Sequence, residues 1–327
     1  MTQPQMLLIY NAHAGKGGFL AKLPEVIDMF VKGGFRVEVY PTQAAGDAIE
    51  KVSHIPGYIS LVVAAGGDGT LDEVVTGLLK SGRDVPLGYI PVGSTNDYAA
   101  SLKLSFNVLE AVGDILGGEP QAVDMGEFNN EIFVYVAAFG AFTDVSYDTN
   151  QDMKNLFGHI AYIMEGVRRI GDIKSYDLRV EVDGELHEGS YIYGMVTNSV
   201  SVGGFKGITG KNVLMDDGVF EVLLIHTPKN VLELQEIVTT LLSGNMDSSL
   251  IEFYRTDQVR FWSKEEISWT MDGEYGGAHS YVDIRNRHQC VRIIMDGDKS
   301  DVLGGWRNLE NRGVRNGQLS ADNERSL

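Results

Sequence analysis

Basic residues, cysteine and long apolar runs are all scarce in this 327-residue chain. Lys and Arg number 27 against 45 Asp and Glu, so the net charge is −18, which argues against nucleic acid as a partner. The single cysteine, Cys290, cannot form an internal disulfide, and we expect a reducing, cytoplasmic environment. Apolar runs reach only about eight residues, well short of the ~20 of a transmembrane helix. No basic-then-apolar signal pattern opens the chain, so neither a membrane span nor export is expected.

The pattern of secondary structure changes near Gly126. Before it, strands and helices alternate, which predicts a doubly wound α/β nucleotide-binding domain over residues 1–126. After it, strand patterns separated by Asn- and Asp-Gly turns predict an antiparallel, β-sandwich-like domain over residues 127–299. Helices are expected at 18–32, 45–53, 106–116, 152–170 and 228–242, the last with Pro228 in its first turn. The polar stretch 300–327 is predicted to be a loose tail.

A glycine loop follows a buried strand at residues 66–70, which read Gly-Gly-Asp-Gly-Thr. Thr70 and Glu73 fit a capping box, so a helix is predicted to begin there. A loop without β-carbons that leads into a helix N-terminus suits a phosphate. Because Asp68 would repel a bare phosphate, we expect a water-mediated Mg²⁺ between the two. The alternative is a tight strand–helix turn in which Asp68 only caps the helix.

A second polar loop follows the next predicted strand, at residues 91–98. Ser94, Thr95 or Asn96 can cap a short helix, which places Asp97 near its start. Since the carboxyl ends of parallel strands meet at one edge of the sheet, Asp97 is expected beside the first loop. The alternative is that this segment only caps the helix.

A third glycine-rich turn follows the first strand, at residues 11–18. It is neither a Walker A loop nor a G-x-G-x-x-G dinucleotide motif. Lys16, within it, either neutralises a phosphate or is simply solvated.

Several short motifs occur in a fixed order along the chain: Asn11 with Gly15, the loop at 66–70, Gly-Ser-Thr-Asn-Asp-Tyr-Ala at 93–99, Asn198-Ser199, Val-Gly-Gly-Phe at 202–205, Asp-Asp-Gly at 216–218 and Met-Asp-Gly-Glu at 271–274. Together they resemble the soluble bacterial lipid kinases of the diacylglycerol kinase catalytic-domain family, over nearly the whole chain to about residue 298. One departure is Ala12, where the family usually has proline. It loosens the turn but keeps the amide of Asn11.

The resemblance implies an ATP-dependent, Mg²⁺-dependent lipid kinase. Glu274 is then the general base for the acceptor hydroxyl, with Asp272 beside it, while Asp68 and Asp97 hold the Mg²⁺-phosphate end. By itself the triplet Asp-Gly-Glu is weak, because residues 183–185 repeat it in what is predicted to be an ordinary hairpin. The nucleotide-binding residues implied are Asn11, Gly15, Thr42, Gly66, Gly67, Asp68, Gly69, Thr70, Ser94, Thr95 and Asn96.

The resemblance also implies a structural Mg²⁺ in the second domain. Asp217 and the backbone carbonyls of Leu214 and Val219 would be its ligands, since a hard cation prefers oxygen. The alternative is an Asp-Gly turn without metal.

Three functions remain open on the sequence. Phosphorylation of a lipid is preferred, first diacylglycerol to give phosphatidic acid, then phosphatidylglycerol or a sphingoid or ceramide-like lipid. NAD is a second class of acceptor, because NAD kinases share the Gly-Gly-Asp-Gly-Thr signature. The third is a nucleotide- or lipid-binding regulator without catalysis.

Membrane docking is expected to be peripheral, at the inner face. The apolar stretch 156–170 either packs in a core or forms a lip for an acyl chain, and Lys154, Arg168, Arg169 and Lys174 are candidates for docking on anionic lipid. A homodimer is left open as the assembly.

Overall fold

The amino-terminal part of the chain alternates strands with helices, as its hydrophobic pattern predicts. The computed structural model describes residues 3–15, 18–141, 173–202, 205–206, 213–243 and 248–296. The first elements are β1 (Gln5–Tyr10), α1 (Gly18–Lys32), β2 (Arg36–Pro41), α2 (Asp47–Ser53), β3 (Ile59–Gly66), α3 (Asp68–Ser81), β4 (Leu87–Pro91), α4 (Asp97–Ser101) and α5 (Val108–Gly117).

Strands β1 to β4 form a parallel sheet in the order β2-β1-β3-β4. The strands are apolar on both faces because helices cover both. One face packs with α1 and α5, through side chains such as Phe30 and Val112, and the other with α2 and α3, through Val52 and Val75. The doubly wound first domain is confirmed, and its carboxyl edge is where such folds bind ligands.

The rest of the chain is dominated by antiparallel strands. They are β5 (Glu119–Phe128), β6 (Glu131–Phe133), β7 (Val136–Gly140), β8 (Tyr176–Val182), β9 (Glu185–Thr197), β10 (Ser201–Val202), β11 (Phe205–Lys206), β12 (Phe220–His226), β13 (Ile251–Thr256), β14 (Gln258–Met271) and β15 (Glu274–Met295), with helix α6 at Val231–Ser243.

The long strands of this part fold around a separate aromatic core. Trp269, Phe139 and Phe261 pack with ring centroids 4.8 to 6.0 Å apart, and the inward side chains of β8, β9, β12 and β15 surround them. Alternating inward apolar residues from packed sheets make a sandwich-like domain, as predicted.

Strand β15 joins the parallel strands and the antiparallel strands into one continuous sheet. It pairs antiparallel with β14 and β5 along its length, and near its end it pairs parallel with β4 at Ile293 and Leu87. The hairpin turn that opens β15 therefore belongs to the second domain, while the strand's last residues extend the parallel sheet of the first.

Helix α6 begins later than the sequence pattern predicts. The side-chain oxygen of Asn230 accepts the backbone N–H groups of Leu232 and Glu233, both at 3.0 Å, so Asn230 caps a helix that starts at Val231. The prediction of a start at Pro228 is wrong, because the asparagine satisfies the first amides and proline cannot.

Other predictions concern residues that are not described here. The helix at 152–170 with its docking candidates Lys154, Arg168 and Arg169, the tail from residue 300, and Lys16 lie outside the described residues. Among the helices that are described, none combines the length and the hydropathy needed to cross a bilayer.

Candidate active site

The glycine loop ends strand β3 and leads directly into helix α3. The helix begins at Asp68, with Gly67 in the preceding cap position and no side-chain capping bond. A Cβ on Gly66 would lie 2.4 Å from the side chain of Thr70, so only glycine permits the turn. Free N–H groups of the first helical turn therefore face the sheet edge.

The predicted capping box at Thr70 and Glu73 is wrong. The carboxylate of Glu73 instead accepts the N–H groups of Gly46 and Ala48, at 2.8 and 3.1 Å, and caps the neighbouring helix α2. Thr70 lies inside the first turn, because the helix starts at Asp68. This pairing of Glu73 joins segments distant in sequence, so a local motif did not reveal it.

The second loop is held in shape by Asn96. Its Oδ1 accepts the N–H of Gly93 at 3.0 Å and its Nδ2 donates to the carbonyl of Gly93 at 2.9 Å. Asn96 is buried and adopts a left-handed φ of 54° before helix α4. Ser94 and Thr95 are exposed at the tip, where a ligand can reach their hydroxyls.

The two loops contact one another at their glycines. A Cβ on Gly93 would lie 2.4 Å from the Cα of Gly67. Across this contact, the carboxylate of Asp68 accepts the backbone N–H of Asp97 at 3.1 Å and that of Tyr98 at 3.4 Å. The predicted proximity of Asp68 and Asp97 is therefore present in the structure.

Asp68 lies in an environment that disfavours its charged form. Burial raises the pKa of Asp68 to about 7, and the negative charge of Asp97 adds to the rise, while the N–H groups of Asp97 and Tyr98 oppose it. A carboxylate that the protein compensates so weakly suits a site for a cation.

The glycine-rich turn that follows β1, with Asn11 and Gly15, lies at the same edge of the sheet as Thr42. A Cβ on Gly15 would lie 2.3 Å from the carbonyl oxygen of Val92, so this turn packs on the second loop. Asn11 accepts the N–H of His13 at 2.8 Å with its side chain. The backbone N–H of Thr42 donates to the carbonyl of Tyr10 at 2.9 Å. The sheet thus gathers the predicted nucleotide-binding residues around one edge.

Asp272 and Gly273 form the turn between β14 and β15, with φ values of 49° and 87°. The carboxylate of Asp272 is buried and accepts three backbone N–H groups, from Val134 at 2.5 Å and from Tyr135 and Val136 at 3.0 Å. Burial raises the pKa of Asp272, although these donors oppose the rise. Asp272 therefore anchors the turn rather than facing a substrate.

Glu274 follows that turn and reaches the first domain. Its side chain is exposed, and a Cβ on Gly69 would lie 3.4 Å from its Oε1. The carboxylate of Glu274 thus faces the glycine loop at the start of α3. The anchored turn fixes this approach, since Asp272 also donates its own N–H to the carbonyl of Val136 at 2.9 Å.

A further contact joins the domains beneath helix α4. The hydroxyls of Ser101 and Ser199 lie 2.6 Å apart, and both residues are fully buried. The amide of Asn198 donates to the carbonyl of Asp124 at 3.2 Å. The Asn-Ser motif therefore supports the junction below the second loop.

Two family models match this chain. One, described as the diacylglycerol kinase catalytic domain, matches residues 5–128, and the other, described as the YegS C-terminal NAD kinase beta sandwich-like domain, matches residues 136–295. This chain belongs to the diacylglycerol kinase family. It is a lipid kinase that acts on an alcohol acceptor and takes a nucleotide as phosphate donor.

The alignments of this kinase with its named relatives cover most of the chain. It is 34% identical to the diacylglycerol kinase of Staphylococcus carnosus (strain TM300), over 83% of this chain and 88% of the relative. It is 30% identical to the diacylglycerol kinase of Bacillus subtilis (strain 168), over 90% of this chain and 98% of the relative. The crystal structure of a diacylglycerol kinase from Bacillus anthracis str. Sterne has the same fold, with a TM-score of 0.70 at 20% identity, over 91% and 99%.

The carboxylate of Asp217 in the kinase has protein partners. It accepts from the guanidinium of Arg255 at 2.5 Å and from the N–H of Val219 at 3.2 Å, and Arg255 also pairs with Glu221 at 3.2 Å. Burial raises the pKa of Glu221 to about 8, with repulsion from Asp217 adding to the rise and Arg255 opposing it. Within the described residues, no three His, Cys, Asp or Glu side chains are grouped closely enough to chelate a metal. A structural Mg²⁺ at Asp217, Leu214 and Val219 therefore stays a prediction.

Asp124 is a structural residue that sequence reasoning missed. It is wholly buried and accepts from the N–H of Gly218 at 2.6 Å, the N–H of Gln289 at 2.7 Å and Nδ1 of His288 at 3.0 Å. It thereby fixes the Asp-Gly turn at 216–218 against β15. No local signal indicates this role, because its partners lie 94 to 165 positions away in the chain.

Proposed function

We propose that the protein transfers the γ-phosphate of ATP to the hydroxyl of a lipid, with diacylglycerol as the first acceptor and phosphatidic acid as the product. The approach of Glu274 to Gly69 carries this proposal. A carboxylate from the second domain faces the loop of the first domain whose glycines and helix N-terminus suit a phosphate. Base and phosphate site would then face each other across the junction between the two domains.

The glycine loops would bind the triphosphate. Exposed Ser94 and Thr95 at the loop tip, with the N–H groups at the start of α3, supply donors for phosphate oxygens. Asp68 and Asp97 would hold Mg²⁺ through water, since no cluster of three or more His, Cys, Asp or Glu side chains that could chelate it directly is found among the described residues. When bound, Mg²⁺ neutralises charge on the phosphate oxygens.

Glu274 would act as the general base. Its carboxylate takes the proton of the lipid hydroxyl while the hydroxyl oxygen bonds to the γ-phosphorus, and the bond from that phosphorus to the β–γ bridging oxygen breaks to release ADP. Asp272 keeps Glu274 in place through its backbone anchors. This role requires an accessible carboxylate, and Glu274 is exposed.

A lipid acceptor implies work at a membrane surface. We place the kinase peripherally on the cytoplasmic face of the inner membrane, in agreement with the docking residues predicted from the sequence. Of these, Lys174 lies in the described residues and is exposed, with its ammonium 5.0 Å from the centroid of the Tyr176 ring.

The test is phosphorylation of a panel of acceptors. Purified protein is incubated with Mg²⁺, labelled ATP and dispersed diacylglycerol, phosphatidylglycerol, sphingoid base, ceramide or NAD. Labelled lipid is expected, with diacylglycerol the best acceptor. Labelled NAD alone would favour the NAD kinase alternative, and no product with any acceptor would favour a regulator.

Substitution of the base sharpens the test. Glu274→Gln should lower kcat by about 10²–10⁴-fold, roughly 3–5 kcal/mol, because the base is lost while the shape is kept. Nucleotide affinity should stay unchanged. Glu185→Gln is the matched control, since Glu185 is also exposed and follows the turn of the other Asp-Gly-Glu hairpin. Near wild-type turnover in Glu274→Gln would refute its role.

A further inference from the structure

Asp72 is an acidic residue of helix α3 that no motif assigned. It lies one helical turn after Asp68, so both side chains project from the same face of the helix. The Oδ1 atom of Asp72 is sealed from solvent and has no hydrogen-bond partner. A buried carboxyl oxygen without a donor is costly, so this atom calls for an explanation.

The charged groups with the largest effect on Asp72 are all acidic. They are Asp272 and Glu274 at the β14–β15 turn, Glu131 at the start of β6, and Glu73 on its own helix. Burial and these four carboxylates all raise the pKa of Asp72, and after burial Asp272 has the largest effect. Both burial and the neighbouring carboxylates favour the neutral acid over the carboxylate at Asp72.

A neutral carboxyl group is a hydrogen-bond donor, and Asp272 is a suitable acceptor. Its Oδ2 accepts the backbone N–H of Val134, while the N–H groups of Tyr135 and Val136 go to its Oδ1. A carboxylate oxygen has room for two donors, so Oδ2 can accept one more. A shared proton between the two acids would resolve the unpartnered oxygen of Asp72.

We propose that Asp72 is a positioning residue, which stays protonated and donates a hydrogen bond to the carboxylate of Asp272. This bond would tie helix α3, which begins at the phosphate loop, to the turn that carries Glu274. It would fix the distance between the phosphate end of the site and the base. The effect on turnover rests on the proposed function, whereas the protonation of Asp72 does not.

Infrared spectroscopy tests the proton directly, on the full chain and without substrate. Wild type minus Asp72→Asn should show a protonated-carboxyl band at neutral pH, and this band should disappear on raising the pH. A difference spectrum with only carboxylate bands at neutral pH would overturn the proposal, whatever the protein phosphorylates. Circular dichroism confirms that each variant folds.

Kinetics then test the positioning. Asp72→Asn keeps a hydrogen-bond donor but cannot titrate. Its kcat should lie within about twofold of wild type at neutral pH. At high pH the kcat of wild type should fall as Asp72 loses its proton, whereas the kcat of Asp72→Asn should not show this fall. Asp72→Leu, of similar size without a donor, should lose roughly 10–100-fold in kcat while KM for ATP changes little. Equal losses in both variants, or the same alkaline limb in wild type and Asp72→Asn, would overturn the proposal. If wild type phosphorylates no lipid, the proposed function fails, and the infrared result still decides on the proton.

Discussion

Replacing Asp68 with asparagine should stabilise the ligand-free protein while it removes activity. The pKa of Asp68 is raised from 3.8 to about 7, mainly by burial. Between pH 3.8 and about pH 7, Asp68 is therefore protonated in the native state and ionised in the unfolded chain. The free energy of unfolding falls as the pH rises through this range. Above about pH 7 the whole loss is present.

The size of this effect follows from the shift. A rise of about three pKa units corresponds to an upper limit of ~4 kcal/mol at 1.36 kcal/mol per unit. Water at the cleft screens part of it, so we expect Asp68→Asn to gain about 1–3 kcal/mol at pH 8 and close to nothing at pH 4. Turnover should fall severely if Asp68 holds Mg²⁺ as proposed, because that carboxylate is gone.

Urea unfolding followed by circular dichroism at the two pH values measures the difference. The surface variant Asp28→Asn is the control, because Asp28 is more than half exposed on helix α1. The reasoning would be refuted if Asp68→Asn were no more stable than wild type at pH 8. It would also be refuted if the stability difference between the two proteins were the same at pH 4 and pH 8. Binding of Mg²⁺ and ATP should reduce the difference, since a cation favours the ionised form of Asp68.

Two further changes test the loop contact and the Asp217 turn. Gly93→Ala would place a Cβ 2.4 Å from the Cα of Gly67, so we expect the free energy of unfolding to fall by about 1–3 kcal/mol. Calorimetry should also show weaker ATP binding. The control is Gly113→Ala on helix α5, which has open space around it and should be neutral or stabilising. Arg255→Leu leaves Asp217 without its guanidinium and should lower stability by about 2–3 kcal/mol in thermal unfolding. Mg²⁺ should restore part of this loss, and no restoration would count against a divalent site there.

The sequence was sufficient for the first domain because its signals are local. A buried parallel strand is apolar throughout, and a glycine loop marks its end, so strand, loop and helix follow from one another along the chain. Helix α1, predicted at 18–32, spans Gly18–Lys32. The meeting of the loops at one sheet edge followed from the parallel order, which local patterns also indicate.

Helix boundaries and capping partners were less predictable. Glu73 fits a capping box with Thr70 in sequence, yet its carboxylate binds the amides of Gly46 and Ala48 on another helix. The spacing of Thr70 and Glu73 fits a local capping motif, but tertiary packing brings the free N–H groups of helix α2 within reach of Glu73. Asp72 was missed for the same reason, since three of its four acidic neighbours, Asp272, Glu274 and Glu131, come from the second domain.

The two Asp-Gly-Glu hairpins show where sequence stops and tertiary structure begins. At both, the amino acids themselves determine the turn, with φ values of 52° and 79° for Asp183 and Gly184 and of 49° and 87° for Asp272 and Gly273. Only the packing of the domains makes them differ: the carboxylate of Asp183 accepts a threonine hydroxyl at 2.7 Å, whereas that of Asp272 is buried on three amides and sets Glu274 against the glycine loop. Backbone conformation is a property of neighbouring residues, but the chemistry of a carboxylate depends on what the fold places around it.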